Sequence, residues 1–169
     1  MSTTSEFTLR ARGVTICEVI DAENLAVAEA AALAWGAGND HVRVEIFDGE
    51  PDGASAIAEV VVPAAVRSRW PRAFDAVSAA FPATTEAEVA EMILAAEERG
   101  ADDAAYSIRQ SEADGEWLDD DAARDGARED LSQTDARDLV RDEDGDVVAD
   151  LEAVYVTAWV DAYRAGRDV

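Results

Sequence analysis

The stretch DLEAVYVTAWVDAYRAG, from Asp150 to Gly166, has the clearest periodicity in the chain and predicts a helical second half. Its apolar positions recur every three or four residues: Leu151, Val154, Tyr155, Ala158 and Ala162. This spacing places them on one face of an α-helix that ends near Gly166. Because an apolar helix face needs a covering partner, the pattern predicts a helical unit around it.

The chain upstream of this helix also carries helical signals. Segment 63–70 predicts one or two helical turns, and segment 71–81 predicts a short helix that the following proline closes. Thr85 and Glu88 form a capping-box pair at the start of a longer helix. Gly100 is expected at the C-cap of that helix.

The acidic insert, defined as residues 111–150, has the weakest apolar pattern of the chain. YSIRQ and EWL flank SEADG, which predicts a short hairpin with its turn at 111–115. Weak helical runs follow at 123–131 and 135–140. The negative charge is concentrated in this part of the chain, since residues 101–150 contain 18 acids and 5 arginines.

Residues 1–62 have the period of strands. FTLRAR alternates between apolar and polar residues, and VTICEVI resumes the pattern after Gly13, so these two segments predict either a hairpin or one bent strand. Two further strand segments follow, HVRVEIF and ASAIAEVVV. Between VTICEVI and HVRVEIF, the segment AENLAVAEAAALAWG predicts a helix capped by Asp21. The predicted fold is α+β: an N-terminal small β-sheet with one packed helix (1–62), then a C-terminal helical bundle with a short hairpin (63–169).

The composition is that of a protein adapted to salt. The chain has 38 acids against 14 bases, all of them Arg, for a net charge of -24, yet 49% of its residues are apolar. At molar salt the Debye length is roughly 3 Å, so like charges barely repel, and short carboxylates hold a hydration layer. We therefore expect a halophilic archaeon or its virus as the source. A GC-rich genome, the alternative, explains Arg in place of Lys but not the excess of acids.

This charge and the single cysteine limit the partners and the compartment. Duplex DNA and anionic membranes would be repelled, and the arginines are scattered, so neither direct nucleic-acid binding nor membrane binding is expected. Cys17 has no second cysteine to pair with, which favours the cytoplasm. The N-terminus has no signal-peptide pattern, and no apolar run approaches the roughly 20 residues that span a bilayer. The expected location is the cytoplasm of a high-salt cell, or a virion.

The sequence contains few of the residue patterns that are typical of catalytic sites. His41 is the only histidine, which excludes a cage of several histidines, and it reads as a loop residue. Cys17 lies in an alternating strand and is expected to be a buried structural thiol rather than a nucleophile. The sequence contains neither a glycine-rich phosphate loop nor a serine in a nucleophile elbow. The sequence therefore predicts no enzyme, no cofactor and no metal site.

Two acidic stretches invite a ligand-binding interpretation. EWLDDDAARDGARED (116–130) holds seven carboxylates, but Arg124 and Arg128 interrupt the even row that a DNA mimic needs, so a solvated face is favoured. DEDGDVVADLE (142–152) fails as a calcium loop, because aligning its glycine with the sixth loop position puts Val and Leu at ligand positions. A looser divalent site remains an alternative to a solvated turn; it would use Asp142, Asp144 and Asp146.

Three segments of the second half carry a family resemblance: VRSRWPRAFDAV (66–77), TTEAEVAEMILAAEE (84–98) and the final helix (150–166). Together they resemble the head–tail adaptor, or connector, proteins of tailed viruses. The matching residues are Trp70, Pro71, Phe74, Thr85, Val89, Ile93, Tyr155, Thr157 and Ala158. The resemblance implies a mainly helical protein that assembles as a ring beneath the portal. Residues 1–62, the predicted hairpin and the acidic insert lie outside the pattern.

The sequence thus predicts a non-enzymatic structural or assembly protein, with a head–tail connector ring as the specific expectation. Its expected partners are copies of itself and the portal and tail proteins of a virion. The aromatic residues expected at the partner interface are Trp70, Phe74, Trp117, Tyr155 and Trp159. Two alternatives stay open: a protein-binding module of a halophilic host, and an acidic inhibitor that mimics DNA.

Overall fold

A computed structural model describes residues 4–51, 53–142 and 144–168 and has the α+β fold expected from the sequence. The chain forms two compact units that divide between Arg69 and Trp70. The sheet unit precedes this point and the helical unit follows it. The predicted boundary, after residue 62, lies one short helix earlier, because the helix Pro63–Arg69 belongs to the sheet unit.

The sheet unit is built from antiparallel strands and two helices. Its elements are β1 (Ser5–Ala11), β2 (Cys17–Ala22), α1 (Leu25–Gly38), β3 (Arg43–Asp48), β4 (Ala58–Val61) and α2 (Pro63–Arg69). The strand order is β2-β1-β3-β4, with every neighbouring pair antiparallel. The first two segments therefore form a hairpin, in which Gly13 takes the left-handed φ of 82° that glycine adopts without strain.

One face of the sheet and one face of α1 make the core of this unit. Leu9, Val44 and Ile46 are fully buried there, and the alternation in the sequence correctly identified that face. Ala28 and Ala32 face the sheet from α1, and their small size lets the helix pack closely. The predicted helix cap was wrong: the side chain of Asn24, and not Asp21, accepts the N–H of Val27 at 3.1 Å.

The helical unit packs two long helices with shorter ones. Its elements are α3 (Pro71–Ala80), α4 (Glu86–Asp114), α5 (Asp120–Gln133), a 3-10 helix (Asp135–Val140) and α6 (Ala149–Arg167). The capping box of α4 is confirmed: Glu88 N–H donates to Thr85 Oγ1 at 3.3 Å, and Thr85 N–H donates to Glu88 Oε2 at 2.7 Å. Glu88 is fully exposed, and these hydrogen bonds from Thr85 lower its pKa.

The predicted hairpin at 111–115 was wrong, because α4 continues through this segment to Asp114. Gly100, expected to end the helix, lies inside it, and the left-handed residue at the C-cap is Gly115 with φ 70°. A Cβ on Gly100 would overlap the carbonyl group of Tyr155 in α6. The glycine therefore permits two helices to approach closely, and it does not stop one.

Much of the acidic insert is helical. Both weak helical runs are helices in the structure, and α5 turns Ala123, Ala127 and Leu131 toward the interior. The final helix is also confirmed, but its buried face is wider than predicted. Trp159 and Tyr163 are almost completely buried beside Tyr155, while Ala158 and Ala162 are only partly covered.

Candidate functional site

Trp70 is a surface aromatic residue that the helical unit holds in place. It is the N-cap residue of α3, and Pro71 follows at the first helical position, where proline loses no hydrogen bond. The indole Nε1–H donates to Glu97 Oε2 of α4 at 3.0 Å. The ring is only half-buried, so a fixed part of it faces solvent.

A groove of about 270 Å³ lies beside this ring, between the start of α3 and α6. Its walls are mainly apolar, and the uncharged residues that line it are Trp70, Pro71, Ala73, Ala153, Val154 and Thr157. This volume lies just below the range of roughly 300–1,000 Å³ that small-molecule sites occupy. The groove therefore fits a single large apolar side chain better than it fits a cofactor.

Two opposite charges, Arg72 and Asp150, complete the lining of the groove. Within the described part of the chain neither side chain takes part in a hydrogen bond or an ion pair, whereas most other arginines are paired with carboxylates. Sequence reasoning missed Arg72 and Asp150, since nothing in their neighbours along the chain marks them. The groove thus offers an apolar contact flanked by a guanidinium that can take a carboxylate and by a carboxylate that can take a cation.

A polar network ties α4 to α6 in the same unit. The Tyr155 hydroxyl donates to Asp103 Oδ2 at 2.7 Å, and Arg99 Nε donates to both Asp103 oxygens at 2.9 and 3.0 Å. Burial, reinforced by the bond to Asp103, raises the pKa of Tyr155, so this hydroxyl stays protonated. Arg99 also reaches Asp135 at 2.7 Å, which connects the 3-10 helix to α4.

A second polar tie joins α5 to α6. The Trp159 indole N–H donates to Asp130 Oδ2 at 2.9 Å. Desolvation raises the pKa of Asp130 and the nearby Asp103 and Glu129 charges raise it further, while the bond from Trp159 opposes this shift. Asp130, although it belongs to the acidic insert, therefore accepts a hydrogen bond from an aromatic side chain within the helical unit.

Tyr163 holds the turn between α4 and α5. Its hydroxyl lies 2.6 Å from Ser111 Oγ and accepts the backbone N–H of Leu118 at 3.0 Å. Its ring stacks on Trp159 with centroids 5.2 Å apart and meets Trp117 edge-on at 5.5 Å. These contacts explain why Ser111, expected in a turn, is buried on a helix.

The structure divides the five aromatic residues predicted at the partner interface into two groups. Phe74, Tyr155 and Trp159 have no exposed surface, because they fill the core between α3, α4 and α6. Their hydrophobic rings stabilise the unit and are not accessible to a partner in this structure. Trp70 and Trp117 are half-buried, so the interface prediction is now restricted to these two.

The carboxylates of the two acidic stretches make ordinary ion pairs and turn hydrogen bonds. On α5, Arg124 pairs with Asp121 at 3.0 Å and Arg128 pairs with Asp125 at 3.2 Å, which breaks the row of negative charges. In the loop after the 3-10 helix, Asp142 Oδ1 accepts the N–H groups of Asp144 and Asp146, as in a self-bonded turn. No group of side chains within the described ranges has the composition and proximity of a metal site.

His41 and Cys17, the two other residues considered for catalysis, do not line the groove beside Trp70. His41 packs its ring against Trp35 at 4.9 Å in the sheet unit. Cys17 is exposed, which corrects the expectation of a buried thiol: it lies on the edge strand and on the sheet face that α1 does not cover.

Comparison with protein-family models gave no match, and comparisons with curated proteins and with solved structures gave none either. Among the helices of the described residues, none has both the length and the apolar character needed to cross a bilayer.

Proposed function

We propose that this chain is a non-enzymatic structural protein that assembles with further copies of itself, and that the groove beside Trp70 is a contact site. The observation that carries the proposal is the combination of a fixed, half-buried Trp70, an apolar groove and the guanidinium of Arg72. Trp and Arg are among the residues most enriched at the energetic centres of protein interfaces.

The charge balance favours a second copy as the occupant of the groove. With 38 acids against 14 arginines, carboxylates far outnumber guanidinium groups in a second copy. A second copy would therefore bring both an apolar group for the groove and a carboxylate for Arg72. Because the groove would meet a different surface of its neighbour, the contact is head-to-tail, and such contacts build rings or filaments.

A head–tail connector ring is the specific form of this proposal. Two of the segments that carry the resemblance supply opposite walls of the groove, since Trp70 and Pro71 come from one and Thr157 from the other. The acidic surface is consistent with work at high salt, in a virion or in the cytoplasm of a halophilic cell.

Sedimentation velocity of the full chain in molar KCl tests the proposal. Ala153→Glu puts a charge into the groove from an exposed helix position, and Ala165→Glu makes the same change on the same helix outside the groove. We expect the wild type to form oligomers, Ala153→Glu to weaken them at least about tenfold, and Ala165→Glu to leave them intact. A wild type that stays monomeric in molar KCl, or two variants with equal effects, would contradict the groove contact.

A further inference from the structure

Strand β2 is one of the two edge strands of the sheet, opposite β4, and its outward-facing backbone groups can be assigned from the pairing. Arg12 N–H donates to Arg43 O, and Glu6 O accepts from Gly49, so the even-numbered residues of β1 point toward β3. Backbone groups alternate in direction along a strand, which leaves the odd-numbered residues of β1 paired with β2. Through the register Phe7–Ile20, the even-numbered residues of β2 then point inward.

Cys17, Val19 and Asp21 consequently direct their N–H and C=O groups to the open edge. No hydrogen bond within the described part of the chain uses these backbone groups. Native proteins normally blunt such an edge with proline, lysine, a bulge or a covering loop. Strand β2 contains no proline, lysine or bulge; its charged side chains are Glu18 and Asp21, and Val19, an apolar residue between them, is 61% exposed.

We propose that β2 pairs antiparallel with β2 of a second copy, about a two-fold axis at Val19, to join the two sheets edge to edge. The outward groups belong to odd-numbered residues, so only registers that pair odd with odd are possible. With Val19 opposite Val19 of the second copy, Cys17 and Asp21 exchange hydrogen bonds across the axis. Three residue pairs are then bonded.

Side-chain charge selects this register over its neighbours. With Val19 on the axis, Glu18 lies opposite Ile20 of the second copy, and Asp21 lies opposite Cys17, so no two carboxylates face each other. Shifting the second strand in one direction sets Glu18 against its own copy, and like charges directly opposite are destabilising. Shifting it in the other direction moves Cys17 beyond the end of the partner strand and loses a bonded pair.

Salt decides whether the pairing forms. Each copy has a formal charge of -24, so two copies repel at long range in dilute buffer. At molar salt the Debye length is roughly 3 Å, and only charges in direct contact still matter. Because this register sets no two carboxylates directly opposite and leaves the two Glu18 side chains only diagonal to each other, the edge pair is expected to form in molar KCl and to dissociate as salt is removed.

Val19→Pro in the full chain tests the pairing. The N–H of Val19 points out of the sheet, so proline removes a bond to the second copy without removing one inside the unit. Val19→Thr keeps the N–H and the strand propensity and is the matched control. In molar KCl, and in an Ala153→Glu background that weakens the groove contact, we expect sedimentation equilibrium to show association that Val19→Pro weakens at least about tenfold and Val19→Thr leaves within about twofold. Circular dichroism verifies that both variants are folded.

A disulfide tests the register directly. In a Cys17→Ser background, Val19→Cys would place two thiols on the axis, with Cα atoms about 5.5 Å apart, which a disulfide can span. Val27→Cys, which is also exposed but lies on α1, is the control. Rapid cross-linking of Val19→Cys alone, in molar KCl, is the expected result. Equal rates for both cysteines, or no association at any salt concentration, would overturn the proposal.

The edge contact is independent of the groove, and the variants separate them. Ala153→Glu should leave the Val19→Cys cross-link intact, and Val19→Pro should leave association through the groove intact. Loss of the cross-link with Ala153→Glu would mean that the edge has no affinity of its own, and this result would also overturn the proposal.

Discussion

The two units of this acidic protein place their charged side chains in different surroundings. In the sheet unit, opposite charges pair across neighbouring strands on the outer face, where Arg10 meets Glu45 at 2.8 Å and Arg43 meets Glu59 at 3.2 Å. In the helical unit, Asp103 and Asp130 are drawn partly inside and accept hydrogen bonds from Tyr155 and Trp159.

The acid excess therefore does more than solvate the surface uniformly. These two ion pairs of the sheet unit are partly open to solvent, since Arg10 and Glu59 are each about one-third exposed, so salt screens them and the sheet unit depends mainly on its core and its backbone ladder. Partly buried acceptors of aromatic donors are screened much less, and leaving such a donor unpaired costs about 1–3 kcal/mol. Salt should therefore affect the charged contacts of the two units unequally, and pH should act mainly on the helical unit.

The largest expected effect is that of Gly100→Ala, because it acts on the helix crossing that holds the helical unit together. A methyl group there would overlap the backbone carbonyl of Tyr155, and a carbonyl cannot move aside as a flexible side chain can. We expect the free energy of unfolding to fall by about 3 kcal/mol, measured by urea denaturation in molar KCl.

Gly126→Ala is the matched control for that substitution. Gly126 lies in α5 of the same unit, and an added Cβ would make ordinary contacts at 3.7 Å with Leu118 and Trp159. Alanine favours a helix over glycine, so this variant should be more stable by roughly 0.5–1 kcal/mol. If the two variants were equally destabilised, the close crossing would not be the reason for glycine at position 100.

A smaller effect, with a defined pH dependence, is expected from Asp130→Asn. The pKa of Asp130 is raised from its ordinary value of 3.8, so its contribution to stability is complete below that pH and is lost as the pH rises through the raised pKa. Asparagine still accepts the bond from Trp159 but never ionises. The free energy of unfolding of the variant should therefore rise relative to that of the wild type as the pH rises above 3.8. The difference should stay below about 1 kcal/mol, because the carboxylate of the wild type keeps some hydration.

Stability measured from pH 3 to pH 8 by thermal unfolding checks this expectation. Asp125→Asn, which removes an exposed carboxylate from the same helix, is the control. An advantage of Asp130→Asn that shrinks as the pH rises would show that the interior favours the charged form of this carboxylate.

Those parts of the fold that depend on local patterns were predictable from the sequence. Alternation identified the buried face of β1 and β3, and the spacing of Thr85 and Glu88 identified the start of α4, since both signals lie within a few residues. The final helix was predictable for the same reason, because its period of apolar residues continues over its whole length.

The parts that depend on distant partners were not predictable. Gly100 reads as a helix end, and only the carbonyl of Tyr155, supplied by α6, shows why glycine is needed inside α4. Asp103 and Asp130 look like any of the 38 acids, and the aromatic donors that distinguish them lie far along the chain. The groove lining has the same limitation, since Arg72 and Asp150 come to line one groove only when α3 and α6 pack.

The smallest effect is expected at the Arg10–Glu45 pair on the outer face of the sheet. Arg10 also lies over the ring of Phe47 at 4.6 Å, so a single Arg10→Gln substitution mixes two interactions. A double-mutant cycle with Glu45→Gln isolates the ion pair, whose coupling energy should be about 0.5 kcal/mol in dilute buffer and close to zero in molar KCl. Unfolding free energies of the four proteins, measured at both salt concentrations, give the coupling energy. A coupling that persists in molar KCl would mean that this face is shielded from solvent, and the contrast between the two units would then no longer hold.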